Sequence, residues 1–304
     1  MSSQVPTTFV TLFENNMKLS LQQSTAMLAP YAMQRDVSGE KVQLDDLIGH
    51  VQAQDYVDRH GDVQLSNTPH SRLWIAKPTP QGYAEMVDRD DQIQAKIALE
   101  SGYMQTAVAT INRSWDDACI GGLFGNMLTG KDGTTSTAFP GANVVAVTVG
   151  AAAATRMNVA KLRAARKMLA QNFNDPAEER FIALTAEQID DLLNEVPVTS
   201  KDFGAMGGEL RDGKLSRFLG FNMIEIELGN SLFRNAATTL DGSGYRKNPF
   251  WVKSGLLLAV WQKIYTDISP VPMKRNSRLI QADTTIAATR TEAGKVGYIL
   301  NSEA

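Results

Sequence analysis

The stretch from Asp88 to Phe124 contains no proline, and its apolar residues Met104, Val108, Ile111, Trp115 and Ala118 recur three or four positions apart. That spacing lines one face of an α-helix and predicts a single helix over the whole stretch. Asp88, Asp90 and Asp91 crowd the first turn, where carboxylates complement unpaired amides and the positive end of the helix dipole; Gly121, Gly122 and Gly125 crowd the end. At about 1.5 Å per residue the helix spans roughly 50 Å, more than one small domain needs for its own core. Such a helix is a spine able to serve two layers. Gly102, beside the polar pair Glu100 and Ser101, marks where it is expected to bend or to change packing partner.

The rest of the chain must supply those layers. Its 304 residues suffice for about two domains with real cores. A net charge of -3 excludes the broad basic field of a nucleic-acid binder and gives no reason for attachment to anionic membranes. The one cysteine, Cys119, allows no intramolecular disulfide, and its apolar helical neighbours mark it as a small buried hydrophobe rather than a nucleophile. No basic segment followed by an apolar block opens the chain, so no export signal is expected. The longest uncharged run, Val144 to Ala154, is shorter than the ~18 residues of a membrane span.

Before the spine, Phe13, Met17, Leu21 and Leu28 predict an amphipathic helix over Thr11 to Ala29, stopped by Pro30. With only Glu14 and Lys18 charged, it is suited to lie as an arm against something else. From Tyr31 to Gly82 the chain turns to short β-like pieces, VQLDDLI, DVQLS and RLWIAKP, cut by Gly39, Gly49, Gly61 and Pro69. This segment is too thinly apolar for its own core and reads as a projecting hairpin arm that gains order from neighbours. After the spine, VVAVTV reads as a strand. Asn158 caps a helix over Val159 to Phe173, with Val159, Leu162, Arg166, Leu169 and Phe173 on one face. ERFIALT predicts a buried strand, Ala186 to Asn194 a short helix, and KLSRFLGFNMIEIEL, WVKSGLLLAVWQKIYTDI, RLIQADTTIAATRT and KVGYIL predict strands. The mixture is α+β.

No catalytic, cofactor-binding or metal-ligating residue is assigned, and no cofactor is expected. Gly125 to Asp132 has the spacing of a phosphate-binding loop. However, Asp132 replaces the hydroxyl that would ligate magnesium, and a helix rather than a strand precedes it, so a simple turn is expected. His50, His60 and His70 lack the neighbours of a zinc site and read as solvated loop residues. The pairs Asp90-Asp91 and Asp116-Asp117 are adjacent on a helix, diverge by about 100°, and read as capping or solvated carboxylates. Lys161, Arg163, Arg166 and Lys167 read as the wet face of their helix.

The order of these pieces resembles the major capsid proteins of tailed bacteriophages, which have the Hong Kong 97 type of fold. The resemblance is carried by the N-terminal arm, the loop ending in Arg72-Leu-Trp-Ile-Ala-Lys-Pro, the helix opening Asp88-Arg-Asp-Asp, the helix Val159 to Phe173, the strand Arg180 to Thr185, the segment Gly213-Lys-Leu-Ser-Arg-Phe-Leu-Gly-Phe-Asn-Met, and the closing strands. It implies an N-terminal helical arm over residues 1–35, an extended loop over 36–84, the spine helix of a peripheral domain over 85–124, an axial domain over 125–250, and return strands over 251–304. It further implies a non-enzymatic homo-oligomer of hexamers and pentamers that closes an icosahedral shell around double-stranded DNA without sequence-specific binding. Portal and scaffolding proteins are partners by analogy, with assembly in the host cytoplasm and the virion as destination. No lysine and asparagine pair can be assigned to cross-linking. An encapsulin-like compartment and a soluble enzyme with an unread site are the alternatives.

Charge is distributed unevenly along this order. Seven acidic residues (Asp36, Glu40, Asp45, Asp46, Asp55, Asp58, Asp62) face two basic ones between Asp36 and Asp62, whereas nine basic residues face three acidic ones between Arg246 and Lys295. Opposite charge so separated is able to steer subunits together.

Overall fold

The structure, a computed structural model, describes residues 25–55, 63, 65–87, 99–195 and 215–303. Three sheets are arranged around the spine. The first has the order β1 (Met33–Asp36), β12 (Leu256–Val271), β13 (Ser277–Arg290), β4 (Gln81–Val87). The second has the order β7 (Val144–Val145), β14 (Val296–Asn301), β11 (Arg246–Val252), β8 (Arg180–Leu184), β10 (Phe221–Glu225), β9 (Arg217–Phe218). The third comprises β2 (Lys41–Ile48), β3 (His70–Ala76), β5 (Met127–Thr129) and β6 (Thr135–Thr137).

The spine is helix α1, Leu99–Phe124, unbroken through Gly102; positions 88–98 of the expected helix lie outside the described residues. The expected change of partner is present but comes later. Tyr103, Met104, Ala107 and Ile111 pack on Val87, Ile280, Ala282 and Tyr83 of the first sheet, whereas Cys119, Ile120 and Leu123 enter the main core with Phe181, Trp251 and Leu258. Trp115 touches both groups. Close approach is possible because Gly122 has no side chain: a Cβ there would lie 2.7 Å from Ala288.

The second sheet is covered on both faces. On one face lie α2 (Val159–Gln171), capped by Asn158, whose side-chain Oδ1 accepts the Lys161 amide at 2.9 Å, and α3 (Ala186–Leu193), opened by the Thr185 and Gln188 capping box. Ile182 and Leu184 of β8 face these helices; Phe181 and Ala183 face the spine. Strand β8 is buried throughout, Arg180 included, as the apolar run Phe181 to Leu184 indicates for the rest of it.

Several expectations are corrected. The strand read in VVAVTV shrinks to Val144–Val145, and the chain then turns, with the Val149 amide donating to Ala146 O. No strand forms in DVQLS among the described residues, whereas β4 was not anticipated. On α2 the buried face is Lys161, Leu162, Ala165 and Leu169; Arg166 and Phe173 point to solvent. Of the N-terminal helix expected over Thr11 to Ala29, the part up to position 24 lies outside the described residues. From Thr25 the chain bends and then makes a 3-10 turn, Ala29–Tyr31, in place of a helix. The arm expected over residues 1–35 thus ends by giving β1 to the first sheet, and the boundary between loop and spine at 84 falls within β4.

Candidate assembly surfaces

Two carboxylates fasten two distant chain segments to the spine. Asp116 is wholly buried and accepts the backbone amides of Met27 at 2.8 Å and Leu28 at 2.7 Å. Asp117, also buried, accepts the Asn235 amide at 2.8 Å and its side-chain amide at 3.0 Å. Neither is the solvated carboxylate expected. Here α1 is enclosed on every side, so a polar residue survives only by taking up buried donors. The signal was present in the sequence, since Asp116 and Asp117 interrupt an otherwise apolar run from Trp115 to Phe124. Downstream of the Asp116 clamp, Trp251 Nε1 donates to Tyr31 O at 3.2 Å, and β1 runs parallel to β12 from Met33 opposite Leu257.

The extended loop has a footing in its own subunit. Leu44, Leu73 and Ile75 of the β2-β3 hairpin bury against Met127, Leu257 and Ala259. Strand β12 is therefore covered on both faces near its start, with Leu256, Leu258 and Val260 in the main core and Leu257 and Ala259 under the loop. The loop base does not wait for neighbours to be ordered. Its outer part is different, for Ile48, Val51, Val63 and Leu65 are exposed. His50 and His70 are exposed as expected; His60 lies outside the described residues.

The phosphate-loop-like segment is a hairpin turn between β5 and β6, with Gly130 and Gly133 at positive φ. Trp74 Nε1 donates to Gly130 O at 2.9 Å, and Lys41 Nζ donates to Asp132 O at 2.6 Å. These carbonyls point at side chains of the extended loop and help anchor it.

At the other end of the first sheet the outer half of β12 turns to solvent, while β13 beside it stays buried against the spine through Ile280 and Ala282. Ile264, Tyr265 and Ile268 are exposed there, and at the tip Met273 is 96% exposed beside Lys274 and Arg275. Three of the seven acidic arm residues already face cations of the same subunit: Asp36 with Lys263 at 3.3 Å, Asp45 with Arg35 at 3.1 Å, and Asp46 with Arg72 at 3.9 Å. One of these pairs joins the acidic arm to the basic return segment within one chain.

Two buried cations lock the ends of elements. Lys161, read from sequence as part of a wet face, is 0% exposed. Its Nζ donates to Thr155 O at 2.7 Å, Arg156 O at 3.1 Å, Leu300 O at 2.8 Å and Asn301 Oδ1 at 2.9 Å. Burial pulls its pKa down to about 8. The spacing Lys161, Ala165, Leu169 already put it in register with the apolar face. Arg290 is also buried; Nη1 donates to Leu123 O at 3.0 Å and Gly125 O at 2.6 Å, and the guanidinium lies 4.8 Å from the Phe139 ring centre. It satisfies carbonyls at the negative end of the spine, and burial pulls its pKa down to about 10. Cys119 is buried as expected, and burial pushes its thiol pKa up. Among the described residues no cluster of His, Cys, Asp or Glu has the makings of a metal site, and no helix is long and apolar enough to cross a membrane.

This architecture has close counterparts among solved structures. The capsid of cyanophage P-SCSP1u matches with a TM-score of 0.71 at 13% identity, covering 95% of this chain and 92% of that one. The mature capsid of bacteriophage PhiM1 matches at 0.70 and 12% identity, covering 96% and 91%. Mycobacterium phage Adephagia matches at 0.61 and 14% identity, covering 100% and 99%. Spine helix, projecting loop and two flanking sheets thus define a subunit of the Hong Kong 97 type. The family model described as phage capsid protein matches residues 5–303, and the chain belongs to that family. It is a structural capsid protein, and that family membership places it in the virion. No curated protein matches the sequence.

Proposed function

We propose that the chain is the major capsid subunit of a phage head, assembling as hexamers and pentamers into an icosahedral shell around double-stranded DNA. The observation that carries this reading is the distribution of apolar surface. Among the described residues, the outer loop around Ile48 to Leu65 and the outer half of β12 with its tip, Ile264 to Met273, leave large apolar side chains open to solvent. Isolated exposed apolar residues are ordinary, but concentration on two stretches of a capsid fold is what contacts between copies require. Many modest contacts, closed by symmetry, then hold a shell together without one large interface.

The work is structural rather than catalytic. Asp116, Asp117 and Lys161 are taken up in holding chain segments together. The near-neutral charge suits a wall that must not adhere to packed DNA. By analogy with the resemblance, a portal and a scaffolding protein join assembly in the host cytoplasm, and residues 1–35, 36–84, 85–124, 125–250 and 251–304 serve respectively as arm, extended loop, spine of the peripheral domain, axial domain and return strands. Negative-stain microscopy and light scattering of the purified chain test the reading. Closed particles or capsomer rings are expected, and a monomer at every concentration would contradict it.

A further inference from the structure

The C-terminus of α2 ends in a left-handed turn built on the wrong residue. The Phe173 amide donates to Ala170 O at 3.2 Å and the Asn174 amide to Leu169 O at 3.4 Å, the paired bonds of a Schellman motif. The residue at its left-handed position is Phe173, with φ 58°. Glycine, and sometimes asparagine, takes that position in most helices, because a Cβ there crowds the following carbonyl. The conformation is nevertheless held firmly. Asn172 Nδ2 donates to Gly294 O at 3.2 Å, while Asn174 Nδ2 donates to Leu169 O and to Gly294 O, each at 2.9 Å.

Among the described residues nothing compensates for the choice of side chain, since Phe173 is 91% exposed. The other left-handed residues outside glycine among them differ in this respect. Leu219 (φ 49°) packs against the core beneath α2. Arg275 and Asn276 (φ 52° and 57°) follow the 3-10 turn Pro272–Lys274 and close the five-residue connection between β12 and β13, where the chain must reverse within a few residues and asparagine tolerates the backbone. Among the described residues Phe173 is the one that joins this backbone to a clamped helix end and a bare aromatic ring. A strained backbone that presents a large side chain is a device for placing that side chain, and the observation leads from the strain to a function.

We infer that Phe173 is an anchor that buries in a second copy of this chain when subunits assemble. This rests on the shell reading above. A second copy of the chain is the occupant because the chain belongs to a capsid-protein family whose structural neighbours are capsid assemblies. Arg166 and Lys167, exposed on the same helix, make nucleic acid the competing occupant, and assembly of the purified chain free of nucleic acid tells the two apart. A rigid aromatic ring also loses little side-chain freedom on burial, which makes it an effective contact at low cost in entropy.

The test separates subunit stability from assembly. Phe173→Asn and Phe173→Gly suit the left-handed turn, so the isolated subunit is expected to melt at the same temperature or higher. The critical concentration for assembly, read by light scattering of the purified chain, is expected to rise at least roughly fivefold. Phe173→Tyr is expected to assemble like the parent. If the parent assembles and Phe173→Asn does so at the same concentration, the anchor is overturned while the shell reading stands. A lower melting temperature for Phe173→Asn would likewise overturn it, by showing that the ring supports its own subunit. A parent chain that never assembles would overturn both readings.

Discussion

Asp116 and Asp117 are neighbours on one helix, yet their carboxylates hold one segment from before the helix and one from well after it in the chain. The first binds Leu28 and the second Asn235. Their divergence of about 100° would spoil a catalytic pair but suits two separate fastenings.

Asp116→Ala leaves several backbone amides in the core without an acceptor. Each such donor costs about 1–3 kcal/mol, so the variant subunit should lose about 2 kcal/mol or more. Urea unfolding below the assembly concentration measures it, as a lower midpoint with unchanged slope. A loss under about 0.5 kcal/mol, the range of ordinary surface substitutions, would show that the amides find other acceptors.

Gly122→Ala sets two effects against each other. Alanine favours an exposed helix interior by ~1 kcal/mol, but here its Cβ meets backbone and side chain of Ala288 at 2.7 Å. Overpacking against a backbone costs about 1–3 kcal/mol, so net destabilisation is expected. A rise in melting temperature would mean that spine and β13 separate easily.

The sequence carried the periodic elements well. Helix α2, its Asn158 cap and the buried β8 follow from local spacing, which depends on few distant contacts. It carried the polar fastenings poorly. Lys161 and Asp116 read as solvent-facing because charge usually means exposure, and only the meeting of β14 or the arm with these helices reverses that. Strand β4 was missed for a related reason: QGYAEMV has little apolar content and owes its form to pairing with β13.

Lys161 gives the subunit a pH dependence with a definite sign. Its pKa is lowered from the ordinary lysine value to about 8 in the fold, so between about pH 8 and the unfolded value the native state holds fewer protons than the unfolded one. The contribution of Lys161 to stability therefore rises with pH across that window, and is least favourable below it, where both states are charged. Comparing urea unfolding of the parent and Lys161→Met from pH 7 to 10 isolates it. A difference between the two that does not vary with pH would show that the four acceptors hold the ammonium at its ordinary pKa.

Salt should weaken assembly less than the uneven charge along the chain implies. Asp36, Asp45 and Asp46 have partners in their own subunit, each exposed pair contributing only ~0–1 kcal/mol. The exposed Lys274 and Arg275 at the hairpin tip remain the cations best placed to reach another copy. Lys274→Gln with Arg275→Gln should raise the critical concentration at low salt and flatten its dependence on sodium chloride. An unchanged salt series would assign closure to apolar packing.

The parallel pairing of β1 with β12 also governs timing. Met33 meets Leu257, and the Asp116 fastening and the loop footing on Ala259 belong to the same region. A ribosome adding ~5–20 residues per second needs roughly 10–50 s between the two strands. Throughout that interval the first strand has been made and its partner has not. The subunit thus cannot complete the sheet that supports its loop until Leu257 to Ala259 have been synthesised, so newly made copies stay unable to present a footed loop to one another throughout that interval.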